Sequence, residues 1–292
     1  MEIIKQLYRK GRKIFTNDEQ RSVVKFKKEI WQSEEISRSF VKGSDSRSIA
    51  AADIMDREVN ELFLAHCSVG QRVLDIGCGH GIVSEYLANK GINVSAVDIS
   101  EKLLETFRDR IKGKNLSIEI KQGDAYNIPY DNDYFDVVVA RMFLPHFPDW
   151  PVVLREMSRV TKKGGKLLVH FTSKENTELG KKIGLNECDF ASSPRTIDPW
   201  RFYAEADEQE LKKVASSNGL EISQRLPISF FLHNRIIGYQ LGTEQYNAYM
   251  KKIEQFLEDE KVREFVVWFD KEVVANSIAA ISHFNIITFK KT

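Results

Sequence analysis

The stretch that decides the fold is Val73-Leu74-Asp75-Ile76-Gly77-Cys78-Gly79-His80-Gly81, in which an apolar run ends in glycines at alternate positions. A short apolar run is typical of a buried parallel strand, and glycines in the turn that follows allow a ligand to approach the backbone. The helix predicted for residues 82–89 directs its positive N-terminus at the same place. The sequence therefore predicts a small-molecule site at the carboxyl edge of an open α/β sheet.

Two nucleotide-type ligands compete for this site. The dinucleotide fingerprint G-x-G-x-x-G makes room for a pyrophosphate, but here Gly81 comes one residue too early for the third glycine. Asp75 stands two residues before the first glycine, and a fixed carboxylate there would repel a pyrophosphate. The same carboxylate suits a ligand that carries an amino group and a sulfonium. An ordinary glycine-rich turn without a ligand is the structural alternative.

Length, charge and cysteine usage limit the class of protein. The chain has 292 residues, enough for one large domain or for a core domain with a substantial insertion. Its 43 basic and 42 acidic residues give a net charge of +1, so no overall field favours nucleic acid. The three cysteines form no C-x-x-C pair, which disfavours zinc and disulfides. No apolar run approaches the roughly 20 residues of a membrane span, so we expect a soluble cytoplasmic protein.

The second predicted strand, residues 93–97, ends in groups suited to a nucleoside. Asp98 follows it directly, and a carboxylate at this position can accept bonds from both ribose hydroxyls. Ile99 would then lie against one face of an adenine. Ser100 is a good N-cap for a helix predicted over residues 101–111.

The third, fourth and fifth predicted strands end at the same carboxyl edge of the sheet. After the third predicted strand, residues 117–121, Asp124 can accept the adenine exocyclic amine while the backbone around Ala125 serves the ring nitrogens. Residues 134–140 read as the fourth, central strand, and residues 166–171 read as the fifth.

Five blocks then follow one another in order: V-L-D-I-G-C-G-H-G, V-D-I-S, G-D-A-Y-N-I-P-Y, Y-F-D-V-V-V-A and L-R-E-M-S-R-V-T-K-K-G-G-K-L-L-V. This order resembles the class I S-adenosyl-L-methionine (SAM) dependent methyltransferases, particularly the branch that includes ubiquinone, menaquinone, sugar and natural-product methyltransferases. The resemblance covers about residues 60–173 and continues more weakly over residues 203–226. It implies an α/β, Rossmann-like sheet of seven strands, six of them parallel and the last antiparallel.

The resemblance also implies a set of cofactor-binding residues and no metal. The positions that match the family's motifs are Asp75, Gly77, Cys78, Gly79, Gly81, Asp98, Ile99, Asp124, Ala125 and Arg141.

Two residues after the fourth strand are candidates for catalysis. Arg141 departs from the small or neutral residue of many relatives, and its guanidinium needs a partner. That partner is either an anionic acceptor or a carboxylate of the chain such as Asp75 or Asp149. His146 stands where relatives often carry a histidine pair, and it is either the base for an acceptor hydroxyl or a loop histidine bonded to the backbone.

The ends of the chain predict a four-part organisation: an N-terminal helical extension (1–50), a SAM-binding core (51–232), a helical acceptor cap (233–280) and a closing strand (281–292). The N-terminal part contains a basic amphipathic pattern, read as a helix on its own domain or as a membrane-surface contact. In the cap, Tyr246 and Tyr249 are candidate substrate-binding residues, with a dimer interface as the competing interpretation.

The sequence thus predicts SAM-dependent methyl transfer to a small or medium acceptor, a hydroxyl or amine of a sugar or natural product. A glycan or lipid-linked acceptor at the membrane surface is the alternative within this class. A SAM-binding protein without transfer activity is the alternative from another class. We expect no nucleic-acid partner and either a monomer or a homodimer.

Overall fold

The computed structural model describes residues 24–25, 28–34, 37, 49–147, 149–173, 205–206, 208–228, 248, 251–253, 255–274 and 284–292. The strands are β1 (Arg72–Ile76), β2 (Asn93–Asp98), β3 (Ile118–Gln122), β4 (Phe135–Ala140), β5 (Thr161–Ser173), β6 (Glu205–Ala206), β7 (Leu220–Pro227) and β8 (Phe284–Lys291). The α-helices are α1 (Ile49–Ala65), α2 (Ile82–Asn89), α3 (Glu101–Ile111), α4 (Trp150–Val160), α5 (Glu208–Ser217) and α6 (Glu260–Trp268). A 3₁₀ helix spans Leu144–His146, and a π-helix continues α6 over Phe269–Val274.

The long strands form one sheet in the order β3-β2-β1-β4-β5-β8-β7, and β6 pairs with β5 off this path. Strands β1 to β5 are parallel to one another, whereas β8 is antiparallel to both β5 and β7. Six long strands are therefore parallel and the last one is antiparallel, which confirms the predicted seven-stranded α/β sheet. Chain order reverses between β1 and β4, and such a switch point opens a crevice at the carboxyl edge.

Helices cover both faces of the sheet because the central strands are apolar on both sides. On β4, Val137 and Val139 belong to a cluster that contains Phe63 of α1 and Leu87 of α2. The intervening Val138 belongs to the opposite cluster, which contains residues of α4 and α5. All three valines are almost fully buried, as expected for a parallel strand between two helical layers. The carboxyl edge is consequently the part of these strands left for a ligand.

Two element bounds differ from the sequence prediction. The sequence pattern of residues 205–217 is that of a single helix, but Glu205–Ala206 pair in parallel with the end of β5. Helix α5 therefore begins at Glu208. Strand β5 also begins earlier than residue 166, because Thr161 already pairs with Phe135 before a register shift.

Helix α1 precedes the first strand, where apolar residues recur at helical spacing over residues 51–65. No helix in the described part of the chain combines the length and apolarity needed to cross a bilayer.

Candidate functional site

The glycine turn connects β1 to α2 and is held against β2. The backbone N–H groups of Gly77 and Cys78 donate to the carbonyl of Val97, at 2.8 and 3.1 Å. Gly77 has φ +71°, and a Cβ built there would lie 2.1 Å from the ring of Phe143. Gly81 has φ +87°, and its Cβ would meet the buried ring of Phe107 at 2.1 Å. Both positions therefore need glycine for packing as well as for backbone conformation.

Helix α2 leaves its N-terminus open toward this turn. Gly81 is its N-cap and makes no side-chain capping bond. The N–H of Ser84, in the first turn, bonds to Asp75. The N–H groups before it face the turn, where a helix N-terminus favours a polar or anionic group of a ligand. The side chain of Cys78, by contrast, packs in a core cluster with Leu104, so only its backbone belongs to the turn surface.

Asp75 lies beneath the turn, with only 1% of its surface exposed. The hydroxyl of Ser84 on α2 donates to its Oδ2 at 2.6 Å, which ties the strand to the helix. Burial raises the pKa of Asp75 to about 6; the Ser84 bond acts in the opposite direction, and the charge of Asp98 adds to the increase. The two acids are thus close enough to interact electrostatically.

Asp98 closes the end of β2 and is fixed by backbone donors. The N–H of Gly79 donates to Oδ2 at 2.9 Å, and the N–H of Ser100 donates to Oδ1 at 2.8 Å. Burial raises the pKa of Asp98, while these backbone bonds oppose that shift by favouring the charged form. The half-exposed Ile99 follows it, with its carbonyl bonded to the amide of Gln122 at 3.0 Å.

At the end of β3, Asp124 is engaged by a residue from far upstream. Its Oδ1 accepts the N–H of Tyr126 at 3.0 Å, and its Oδ2 accepts the ammonium of Lys28. Tyr126 in turn donates its hydroxyl to Asp149 at 2.5 Å. Ala125 is 6% exposed and packs in the core, so it offers backbone groups only.

The chain after β4 contains a residue in the left-handed conformation. Met142 adopts φ +47°, a left-handed conformation that is uncommon for a residue with a side chain. Arg141, immediately before it, forms an ion pair with Asp56 of α1. Phe143, immediately after it, packs against Gly77. The sequence anticipated a carboxylate partner for Arg141, but the ion pair is with Asp56 and not with Asp75 or Asp149. The charge of Arg141 still acts on Asp75, where it opposes the increase of the pKa, and Asp149 accepts the Tyr126 hydroxyl.

His146 ends the short 3₁₀ helix beyond β4. Its ring lies edge-to-face against that of Trp31, with centroids 5.7 Å apart and planes at 80°. Phe143 and Phe147 pack at 4.8 Å, and Phe147 also packs on Tyr126 at 5.6 Å. Aromatic rings therefore cluster after the end of β4, next to His146.

The predicted acceptor residues Tyr246 and Tyr249 lie outside the described residues. In the described part of the predicted cap, Lys271 lies 4.0 Å from Glu61 of α1. Phe265 and Trp268 of α6 are 54% and 53% exposed, and their ring centroids are 5.9 Å apart.

Comparison with known proteins agrees with this geometry. Residues 74–169 match the family model described as a methyltransferase domain. Over 105 residues the chain is 39% identical to methyltransferase GfsG of Streptomyces halstedii, which covers 35% of this chain and 38% of that protein. It is 34% identical over 122 residues to a demethylmenaquinone methyltransferase of Staphylococcus haemolyticus, covering 40% of this chain and 50% of the relative. The chain thus spans half or less of the length of these relatives.

Solved structures establish the class of fold. The chain matches a SAM-dependent methyltransferase from Methanosarcina mazei with a TM-score of 0.51 and 21% identity, over 79% of this chain and 96% of that one. The [4+2]-cyclase SpnF matches with a TM-score of 0.52 and 21% identity, over 81% and 80% of the two chains. The fold is that of the class I methyltransferases. The family-model match over residues 74–169 lies within this fold.

Four residues near the site were not singled out by the sequence: Lys28, Trp31, Asp56 and Phe143. Each contacts a predicted site residue, but three of them come from segments whose distance along the chain hides the contact. Phe143 could have been found from the sequence, because it lies three residues after the end of β4, at the edge where the glycine turn also lies.

Proposed function

We propose that the protein is a SAM-dependent methyltransferase acting on a neutral, small or medium acceptor, a hydroxyl or amine of a sugar or natural product. The observation that carries the proposal is the carboxylate of Asp98, held at the end of β2 by two backbone N–H groups. The methyltransferase domain match and the names of the relatives support it.

The residues at the strand ends fit this cofactor by their chemistry. The oxygens of Asp98 accept backbone bonds from Gly79 and Ser100, and Ile99 adds a further backbone donor. A carboxylate offers about four acceptor positions, so capacity remains for a ribose hydroxyl. The buried negative charge of Asp75 suits the ammonium and sulfonium of the methionine part. Asp124 has acceptor capacity for the adenine amine, and Ile99 offers an apolar surface for the ring.

Bound SAM supplies a methyl group on a sulfonium, which an acceptor oxygen or nitrogen displaces in line. The contribution of this chain is then mostly positioning, because the methyl carbon is already activated. His146 lies at the β4 end, where it can take a proton from an acceptor hydroxyl. An amine acceptor has less need of that base.

The state of Arg141 supports a neutral acceptor. Its side chain is only 12% exposed and is paired with Asp56, so its charge is compensated within the protein. An anionic acceptor would have to compete with that pair. The aromatic rings of Phe143 and Phe147 offer flat apolar surfaces instead.

The cap (233–280) remains part of the proposal as the segment that selects the acceptor. If Tyr246 and Tyr249 contact the acceptor, replacing either with Ala raises the acceptor KM without changing the elution volume in size-exclusion chromatography. A changed elution volume with an unchanged KM would favour the dimer interface.

Calorimetry with SAM, its demethylated product S-adenosylhomocysteine (SAH) and NAD tests the cofactor. We expect micromolar binding of SAM and SAH and none of NAD. Asp98→Ala should weaken both by about tenfold or more, since each loses hydrogen bonds to a charged acceptor. The exposed Asp109→Ala serves as the matched control. Binding of NAD, or an unaffected Asp98→Ala variant, contradicts the proposal.

A transfer screen with labelled SAM tests the reaction. Sugars, natural-product alcohols, amines and quinols form the neutral set, and vesicles with lipid-linked glycans form the membrane set. Incorporation into the neutral set supports the proposal, and incorporation only with vesicles supports the membrane alternative. SAM binding without transfer to any acceptor would favour a SAM-binding protein; the cyclase SpnF shares the fold.

A further inference from the structure

A short N-terminal strap, defined as residues 28–34 with Ser37, lies across the carboxyl edge of the sheet. Its backbone makes helical bonds, from Gln32 N–H to the Lys28 carbonyl at 3.2 Å and from Ser37 N–H to the Ser33 carbonyl at 3.1 Å. Three of its side chains reach three different strand ends.

The first anchor of the strap is Lys28. Its ammonium bonds Oδ2 of Asp124 after β3 and lies 4.7 Å from the ring centroid of Tyr126. The side chains of Lys28 and Asp124 are 35% and 34% exposed, so the pair is partly shielded from water. A cation held by both a carboxylate and an aromatic face is better stabilised than an ordinary surface ion pair.

The other two anchors lie after β2 and β4. The hydroxyls of Ser37 and Ser100 are 2.9 Å apart, and these residues are 3% and 0% exposed. Trp31 packs edge-to-face on His146. Because both serines are buried, the strap packs into the protein at this point and does not merely touch its surface.

These anchors surround the place where the proposed cofactor binds. Ser100 lies two residues after Asp98, the proposed ribose ligand, and Asp124 is the proposed adenine ligand. A segment fixed at both points passes over the adenosine part of the pocket.

We propose that the strap roofs the cofactor pocket and that the Lys28–Asp124 ion pair latches it, so that release of SAM or SAH requires the strap to lift. This inference rests on the proposed function. Asp124 can hold the latch and the adenine amine together, because its two oxygens provide about four acceptor positions. Lys28 is then a positioning residue that acts on cofactor retention through Asp124.

Stopped-flow measurement of SAH dissociation tests the latch. Lys28→Met keeps an unbranched apolar side chain and removes the charge, and Lys25→Met is the matched control. Lys25 lies three residues earlier, and its side chain is 79% exposed. We expect Lys28→Met to accelerate SAH dissociation about three- to tenfold, as for loss of a partly buried ion pair. Lys25→Met should leave the rate unchanged.

Two further measurements distinguish a latch from a purely structural role of Lys28. They are the salt dependence of SAH release and the rate of amide hydrogen exchange in the strap. Raising the ionic strength should speed SAH release from the wild type more than from Lys28→Met, because the latch is electrostatic. SAH should also slow amide exchange across residues 28–34 in the wild type. Equal dissociation rates in the two lysine variants, or no added protection of the strap, would overturn the inference.

The outcomes separate this inference from the proposed function. If the wild type binds no SAH, the proposed function itself fails. If SAH binds and Asp98→Ala weakens it while Lys28→Met behaves like Lys25→Met, the cofactor assignment stands and the latch alone is refuted.

Discussion

Replacing Asp75 with Asn should change how the stability of the free protein depends on pH. Asp75 is 1% exposed, and burial raises its pKa from 3.8 to about 6. Between these two values the folded protein binds more protons than the unfolded chain. Its free energy of unfolding therefore falls as the pH rises through that window.

The magnitude follows from the two pKa values. With about 6 in the folded state and 3.8 in the unfolded chain, the free energy of unfolding should be about 1.4 kcal/mol larger at pH 5 than at pH 8 from this residue alone. Asn has no such titration but keeps an oxygen for the Ser84 hydroxyl. The amide that Asp75→Asn introduces changes the absolute stability by a constant amount, so the comparison uses the pH dependence only.

Urea unfolding at pH 5 and pH 8 measures this difference. The wild type should lose about 1.4 kcal/mol more than Asp75→Asn between the two values. The exposed Asp109→Asn is the control and should match the wild type. Parallel pH profiles for the wild type and Asp75→Asn would refute the reasoning, because the buried carboxyl would then titrate as it does in the unfolded chain.

Three further predictions concern the rest of the site. Gly81→Ala should lower the free energy of unfolding by about 2–4 kcal/mol more than Gly113→Ala in urea titrations, because both have positive φ but only Gly81 faces a buried ring; equal losses would contradict the packing argument. Asp56→Asn should cost about 1–3 kcal/mol and increase transfer to anionic acceptors, since the charge of Arg141 loses its partner; unchanged stability and acceptor preference would speak against it. His146→Gln should lower kcat for a hydroxyl acceptor about 10²-fold with SAM affinity retained, and near-normal turnover would exclude the histidine as base.

The sequence predicted the parts of the site that depend on local chain order. The glycine turn, Asp98 and the Ser100 N-cap follow from residues adjacent to a strand end, and the structure places each accordingly. Ion pairs across the sheet were not predictable in the same way. Asp56 and Arg141 are 85 residues apart, and Lys28 and Asp124 are 96 apart. Many carboxylates compete for a cation at such separations, and only the packing of the chain selects one.

The cations of the site are paired with carboxylates of the chain, whereas two of its carboxylates are bonded to neutral donors. This difference determines which ligands the site suits. Arg141 and Lys28 each lie against a carboxylate of the chain, so their charges are compensated internally. Asp75 and Asp98 instead take their hydrogen bonds from a hydroxyl and from backbone N–H groups, which fix the carboxylates without carrying a positive charge. The charge of Arg141 acts on Asp75 as well, but its ion pair is with Asp56. The crevice therefore keeps negative charge at the ends of β1 and β2. A ligand with an ammonium and a sulfonium is attracted there, whereas the pyrophosphate of a dinucleotide is repelled. Because Arg141 is paired with Asp56 and its side chain is only 12% exposed, it presents little positive charge to the crevice, which supports the neutral acceptor proposed above.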